Sequence, residues 1–374
     1  MKRYGEAFVG IDTAKAHNAV AVAQAGRDGE IRYIGEFGTA PDAVIRLVRK
    51  LADRYETLHF CYEAGPTGYG LYRQIIALGH DCTVVAPSMI PRRPGDRVKT
   101  NRRDAQGLAR LHRAGELTAV WVPDATHEAV RDLVRTRAQA VEDCRRKRQQ
   151  IAGFLLRNGR AFDGRSTWKG GHVRWLERQN FEHPAQRLAF QEMMNTMRAA
   201  VERVARLDAM LAEVVPAWSM APVVAGYQAM RGLGFIHAVT VAAEVGDLRR
   251  FEHPREVMAY LGLVPAERST GESRRRGGIT RTGNTRARTA LIEASWTYRY
   301  PAGIGEAHQH RQAAVPEAAR DIAWRAQARL CARYRRLTAR GKRPTVAATA
   351  VARELAAFLW SIAQHIAPDA VSAR

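Results

Sequence analysis

Three carboxylates stand where phosphate chemistry would place them. Asp12 closes the apolar run "FVGID", Glu63 closes "LHFCYE", and Asp104 opens a helical stretch in "RVKTNRRDA". Two-metal phosphoryl-transfer sites draw hard oxygen ligands from separate elements, because a pair of Mg²⁺ ions about 4 Å apart has to share them. If the strands ending in Asp12 and Glu63 are neighbours, their carboxylates meet. Each acid also has a plain structural reading. A strand-end Asp can cap a turn, Glu63 ahead of "AGPTGYG" can be a surface residue, and Asp104 can be a first-turn acid favoured by the helix dipole.

A second set lies in "PAERSTGESRRRGGITRTGN", Pro265 to Asn284. Glycines let a backbone approach phosphates closely, and guanidinium forks bind phosphate oxygens in bidentate fashion. Arg274, Arg275, Arg276, Arg281, Arg286 and Arg288 are the candidates for holding a DNA backbone, and Ser269, Thr270 and Ser273 for a nucleophilic hydroxyl. The stretch suits neither a helix nor a strand, so it reads as a loop. A basic loop that binds DNA without chemistry satisfies the same residues.

The elements that must position these groups follow from the apolar spacing. Apolar runs at Phe8 to Ile11, Ala19 to Ala23 and Ile31 to Phe37 form a three-strand meander, followed by a helix from about Pro41 to Tyr55 and the strand "LHFCYE". A second helix near Tyr69 to Leu78 and the strand "CTVVAP" complete the order βββαβαβα, a mixed α/β sheet over residues 1–125. Residues 126–222 change to long helical segments rich in Arg, Glu, Gln, Ala and Leu, a coiled-coil-like arm interrupted by "GRSTWKGGHVRWLERQNFEHPAQ". Residues 223–374 begin with "MRGLGFIHAVTVAAEVG", a Gly-x-Gly turn ahead of a small-residue helix with the look of a helix-hairpin-helix, and end in helices.

Composition names the partner. The chain has 374 residues and a net charge of +22, with 59 Lys and Arg against 37 Asp and Glu, so its field favours a polyanion, nucleic acid first. No run of about 18 apolar residues is present, and no apolar region follows "MKRYGEAF", so neither a membrane span nor a secretory signal is expected and the reading is cytoplasmic. Cys61, Cys82, Cys144 and Cys331 lack zinc-site or disulfide spacing. Trp168, Trp175 and Trp218 read as core or oligomer contacts in preference to base-stacking platforms, and the basic run Arg145 to Arg148 adds to phosphate affinity.

The motifs "GIDTAK", "EAGPTGYG" and "RVKTNRRDA" resemble the RuvC-like, RNase H-type domain of the DEDD insertion-sequence transposases, also called bridge recombinases, whose relatives include the Piv-type DNA invertases. "YLGLVPAERSTGESRRRGGITRTGNTRAR" and "RGKRPTVAATAVARELAAFLW" resemble that family's second, mostly helical domain. The resemblance covers both ends in the right order. It implies a metal-binding tetrad on Asp12, Glu63, Asn101 and Asp104 for two Mg²⁺ ions, with Asn101 departing from the all-acid pattern. An amide oxygen at Asn101 can ligate but adds no charge, and it shares one helical face with Asp104 at i, i+3.

The resemblance further implies that a serine of the second domain attacks DNA and becomes covalently joined to it. Register from the "GLVP" motif puts that position at Thr270, whereas side-chain type favours Ser269, the expected nucleophile. Also implied are a structured non-coding guide RNA, target and donor DNA, and dimers assembling to a tetramer. The alternatives are a metal-dependent RuvC-like nuclease of branched DNA, a DNA invertase without guide RNA, and a non-catalytic nucleic-acid-binding scaffold.

Overall fold

The computed structural model describes residues 4–91, 100–270, 273–313 and 315–369, with the side chains of Tyr4, Arg268, Arg274 and Arg276 outside that description. The chain divides into two compact units that part at Pro123.

The first unit runs β1 (Tyr4–Asp12), β2 (His17–Gln24), β3 (Ile31–Gly38), α1 (Pro41–Ala52), β4 (Tyr55–Glu63), α2 (Gly70–Ala77), β5 (Asp81–Val85) and α3 (Asn101–Arg113). The sheet order is β3-β2-β1-β4-β5. The meander is antiparallel, while β4 lies parallel to β1 and β5 parallel to β4. This mixed sheet is compatible with the RNase H-type domain that the resemblance implies.

Period-two alternation gives the sheet two different faces. Val9, Ile11, Leu58, Phe60 and Tyr62 point to one side, where they share a core with Val44, Leu47, Val48 and Leu51 of α1 and Ile75 of α2. The other face carries small residues, Ala19, Ala21 and Ala23, against Ala105 and Ala109 of α3. Gly10 belongs to this face, and α3 crosses directly over it: a Cβ there would lie 2.4 Å from both the Ala105 carbonyl oxygen and the Ala109 nitrogen. Small side chains therefore set how deep α3 sits. Its direction is fixed by Arg113 at its C-terminal end, whose guanidinium donates to the carbonyls of Gln24 (3.1 Å) and Gly29 (2.6 Å). Gln24 pairs with Ala7, toward the start of β1, so the N-terminal turn of α3 lies at the other end, where β1 and β4 finish.

The second unit starts with α4 (Ala125–Arg157), α5 (Gly170–Glu177) and α6 (Pro184–Val214). Helices α4 and α6 run antiparallel, joined by Arg137–Asp208 (2.7 Å) and Arg203–Asp143 (3.3 Å). Their far end closes over a small core of Ile151, Phe154, Leu176, Phe181 and Phe190. Trp168 and Trp175 pack against this core and Trp218 is 1 % exposed, which agrees with reading the tryptophans as packing residues.

The remainder comprises α7 (Ala221–Gln228), α8 (Phe235–Val245), α9 (Pro254–Tyr260), β6 (Pro265–Thr270), β7 (Ser273–Ile279), α10 (Thr285–Ser295), α11 (Glu306–Ala313), α12 (Glu317–Ala339) and α13 (Pro344–Ala363). The loop expected over the Arg- and Gly-rich stretch is instead an antiparallel β-hairpin, β6–β7. Its strands lack apolar alternation because a two-stranded ribbon with exposed residues on both faces needs none, and the ladder bonds hold it.

By length and composition α13 could cross a membrane. Counting only uninterrupted apolar residues passes over it, because Arg353 and Glu354 fall inside the run. Here it is a core helix, with Ala348, Val351, Leu355, Leu359 and Ile362 buried in the large cluster that also holds Tyr227, Leu291 and Leu330.

Candidate functional site

The parallel register pairs Ile11 with Tyr62, so the next residues, Asp12 and Glu63, end adjacent strands at the same level. Alternation puts Asp12 on the side of Gly10, and Glu63 on the side of Cys61, whose thiol lies 3.6 Å from the Leu108 carbonyl oxygen of α3. Both carboxylates thus face the α3 side. The loops that follow the two strands are linked by the Thr67 hydroxyl donating to Thr13 Oγ1 at 3.4 Å.

Helix α3 begins beside them. The Thr100 side chain caps it by accepting from the Arg103 amide at 3.3 Å. Asn101 is exposed on the first turn, and Asp104 is half-buried one turn on. Asp104 Oδ2 is shielded from water and has no hydrogen-bond partner. The sheet and α3 therefore bring Asp12, Glu63 and Asp104 to one end of one face, with Asn101 on the adjoining turn. Among the described residues no three His, Cys, Asp or Glu side chains form a closed ligand cluster. A shielded carboxylate oxygen without a donor is an unmet acceptor that a hard cation satisfies, so the oxygens present fit a divalent ion such as Mg²⁺.

In the second unit, Ser269 pairs with Arg274 across the hairpin and Thr270 with Ser273. Ser269 and Thr270 are exposed and, as consecutive strand residues, project to opposite faces. The Ser269 hydroxyl donates to Glu267 Oε1 at 2.9 Å. Arg275 is exposed opposite Arg268. Arg274 and Arg276 occupy the positions paired with Ser269 and Glu267, but their side chains fall outside the described set, as do Gly271 and Glu272 entirely. Arg281 is exposed with a left-handed φ of 59°, and Arg286 is exposed with Nε 3.8 Å from Glu244.

Arg288 departs from the role expected of it. It is 7 % exposed, and its guanidinium donates to the carbonyls of Leu261 (2.9 Å) and Thr282 (2.8 Å) and to Thr285 Oγ1 (3.0 Å). With these donors committed inward, Arg288 ties the segment after the hairpin to the end of α9. Burial, then Arg281 nearby, lowers its pKa.

Glu244 carries no signal of its role in the sequence. This acid closes α8, and its side chain is fully buried. Arg135 of α4 grips it with two bonds of 2.8 Å, and the Asn284 amide donates to it at 2.7 Å while Asn284 Oδ1 caps α10 at the Ala287 amide. Burial alone would raise the Glu244 pKa, but the bonds from Arg135 and Asn284 outweigh it and hold the carboxyl below its usual range. The helix pair α7 and α8 flanks the Gly-x-Gly turn. Gly232 in its turn has φ +85° and approaches the Ala294 carbonyl too closely for any side chain. Beneath the root of the hairpin opens a cleft of about 650 Å³, with Arg281, Arg329, Arg333 and Arg353 on its walls and Glu354 paired to Arg329 at 2.9 Å and Arg333 at 3.1 Å.

Comparison with known proteins covers both candidate regions. A family model described as "Transposase IS116/IS110/IS902 family" matches residues 227–309, which include the hairpin. A transposase model of the DEDD, IS110 type matches residues 9–158, which include Asp12, Glu63, Asn101 and Asp104. A putative transposase, y4qE, of Sinorhizobium fredii is 57% identical over 97% of this chain and 90% of its own length. The transposase for insertion sequence element IS1533 of Leptospira borgpetersenii is 29% identical over 80% of this chain and 87% of its own. A probable family 20 transposase of Pseudomonas aeruginosa is 29% identical over 60% of this chain and 66% of its own.

Proposed function

The chain belongs to the IS116/IS110/IS902 family of transposases, as the DNA transposase of an insertion sequence of that type, and we propose that it cleaves and rejoins DNA through a covalent bond to Ser269. The observation that carries this reading is the Ser269 hydroxyl itself, exposed near the tip of a hairpin within the family-matched region and already hydrogen-bonded to a carboxylate at 2.9 Å.

Asp12, Glu63 and Asp104 are the residues that would hold Mg²⁺, with Asn101 adding a neutral oxygen or acting through water. When bound, Mg²⁺ supplies charge neutralisation on the phosphate oxygens. The protein's own groups do the rest. Arg275, Arg281 and Arg286 position the DNA backbone by its phosphates, with Arg274 and Arg276 assigned the same task from their sequence positions. Ser269 Oγ attacks phosphorus, forming a phosphoserine ester as the P–O bond to the leaving strand breaks. Rejoining reverses these steps, and the ester keeps the energy of the broken bond available for it.

The net charge of +22 supports a second polyanionic partner besides the target and donor DNA, a structured guide RNA whose loops pair with both. The working assembly is a dimer that pairs into a tetramer, in the cytoplasm. Nuclease-stripped protein tests the guide. It should cleave element-junction DNA only when a transcript of the element's non-coding flank is added back, and undiminished activity without RNA would mean direct DNA recognition of the invertase kind.

A further inference from the structure

Serine hydroxyls are weak nucleophiles at neutral pH and need an adjacent proton acceptor. Granted that Ser269 is the attacking hydroxyl, the reading on which this rests, we infer that Glu267 is the catalytic base that takes its proton. A base must lie within about 2.6–3.2 Å of the atom it deprotonates. The Glu267 carboxylate sits 2.9 Å from Ser269 Oγ, and an ionised carboxylate only accepts, so the serine hydrogen points at Glu267 and the oxygen lone pairs are left to face an incoming phosphorus.

The backbone builds this pair. Residues two apart on a strand share a face, and Glu267 and Ser269 both lie within β6, whose pairing to β7 fixes that face. Both are exposed, so a DNA strand can reach the pair without any rearrangement of the core. Thr270 projects to the opposite face, where Glu267 cannot serve it. The spacing Glu-x-Ser thereby singles out one of two adjacent hydroxyls.

The proton balance closes. In cleavage the Oγ–P bond forms, the Ser269 proton passes to Glu267, the bond from phosphorus to the leaving oxygen breaks, and that oxygen takes a proton from solvent. In rejoining, a DNA hydroxyl attacks the phosphoserine and loses its proton to solvent, while protonated Glu267 returns a proton to Oγ as the serine departs.

The test is the single-turnover rate of adduct formation by full-length protein on element-junction DNA, with guide transcript, across a pH series. Glu267→Gln keeps the size and a hydrogen-bonding oxygen but cannot take the proton. It should slow adduct formation by about 10²- to 10⁴-fold at neutral pH. The decline of rate toward acid pH should disappear, while DNA affinity and melting temperature stay at wild-type values. Glu267→Asp should recover part of the lost rate.

Adduct formation by Glu267→Gln within about twofold of wild type, with an unchanged pH profile, overturns the role of Glu267. So does a loss matched by an equal loss of DNA affinity. Ser269→Ala run in parallel separates the two readings: an adduct that survives in it removes Ser269 as nucleophile, whereas its disappearance together with full activity of Glu267→Gln removes Glu267 alone.

Discussion

Gly10 of β1 and Ala105 of α3 approach so closely that a Cβ on Gly10 would stand 2.4 Å from the Ala105 carbonyl oxygen. Asp104 precedes Ala105, so the depth at which α3 beds on the sheet also sets the position of Asp104 relative to Asp12 and Glu63. Overpacking of this kind costs about 1–3 kcal/mol. Gly10→Ala should lower the melting temperature and cut strand cleavage more than tenfold, with Gly10→Val worse on both. Wild-type cleavage by a destabilised Gly10→Ala protein would show that the seating of α3 does not position the acid.

The Asp104 carboxylate has a shielded oxygen without a partner, a cost retained for function in this account. Asp104→Asn should therefore leave the melting temperature unchanged or raise it while abolishing cleavage, and Asp12→Ala and Glu63→Ala should abolish cleavage with the fold intact. Asn101→Asp adds a charge in an exposed first helical turn, where it is favoured. It should be tolerated and lower the Mg²⁺ concentration needed for half-maximal cleavage. Near-normal recombination in any of the three loss variants would take that residue out of the site.

The arginines should separate into two groups. Arg288→Ala leaves the Leu261 and Thr282 carbonyls without their donor and should cost about 1–3 kcal/mol on thermal or denaturant unfolding. Arg275→Ala, Arg281→Ala and Arg286→Ala should change stability by less than about 0.5 kcal/mol. Each should instead reduce the slope of log affinity against log salt by about one for DNA. A salt-slope change in Arg288→Ala without loss of stability would restore it to the DNA-binding set.

What was legible in the sequence divides along physical lines. The sheet was readable because Val9, Ile11, Phe60 and Tyr62 alternate with residues of the other face, and because Asp12 and Glu63 terminate apolar runs. Parallel pairing of β1 with β4 then aligned the two acids, something neither run states alone. The hairpin was not readable, since β6 and β7 pair through backbone groups and carry Arg, Ser and Gly where a buried strand would carry valines. Arg288 looked like its basic neighbours because only the third dimension shows two carbonyls converging on it. Glu244 was hidden for a similar reason, its main partner Arg135 lying 109 residues earlier in the chain.

Glu244 gives the second unit a defined acid sensitivity. Its carboxyl titrates below the ordinary value of 4.5, so the unfolded state binds its proton more readily. The stability it contributes is fully present above about pH 4.5 and is lost as pH falls through the lowered folded value. Wild-type melting temperature should drop over that acid range. Glu244→Gln should flatten the drop while costing about 1–3 kcal/mol at neutral pH, because the bonds from half-exposed Arg135 lose their anionic acceptor. An unchanged acid slope in the variant would show that other carboxylates govern it.

The serine mechanism rests on which atom holds the DNA. Protein reacted with element-junction DNA, quenched in denaturant, digested and mapped by peptide mass spectrometry should carry the nucleotide on Ser269, and Ser269→Ala should carry none. An adduct on Thr270 would contradict the assignment, and cleaved DNA with no adduct on any residue would replace the serine mechanism with hydrolysis by water.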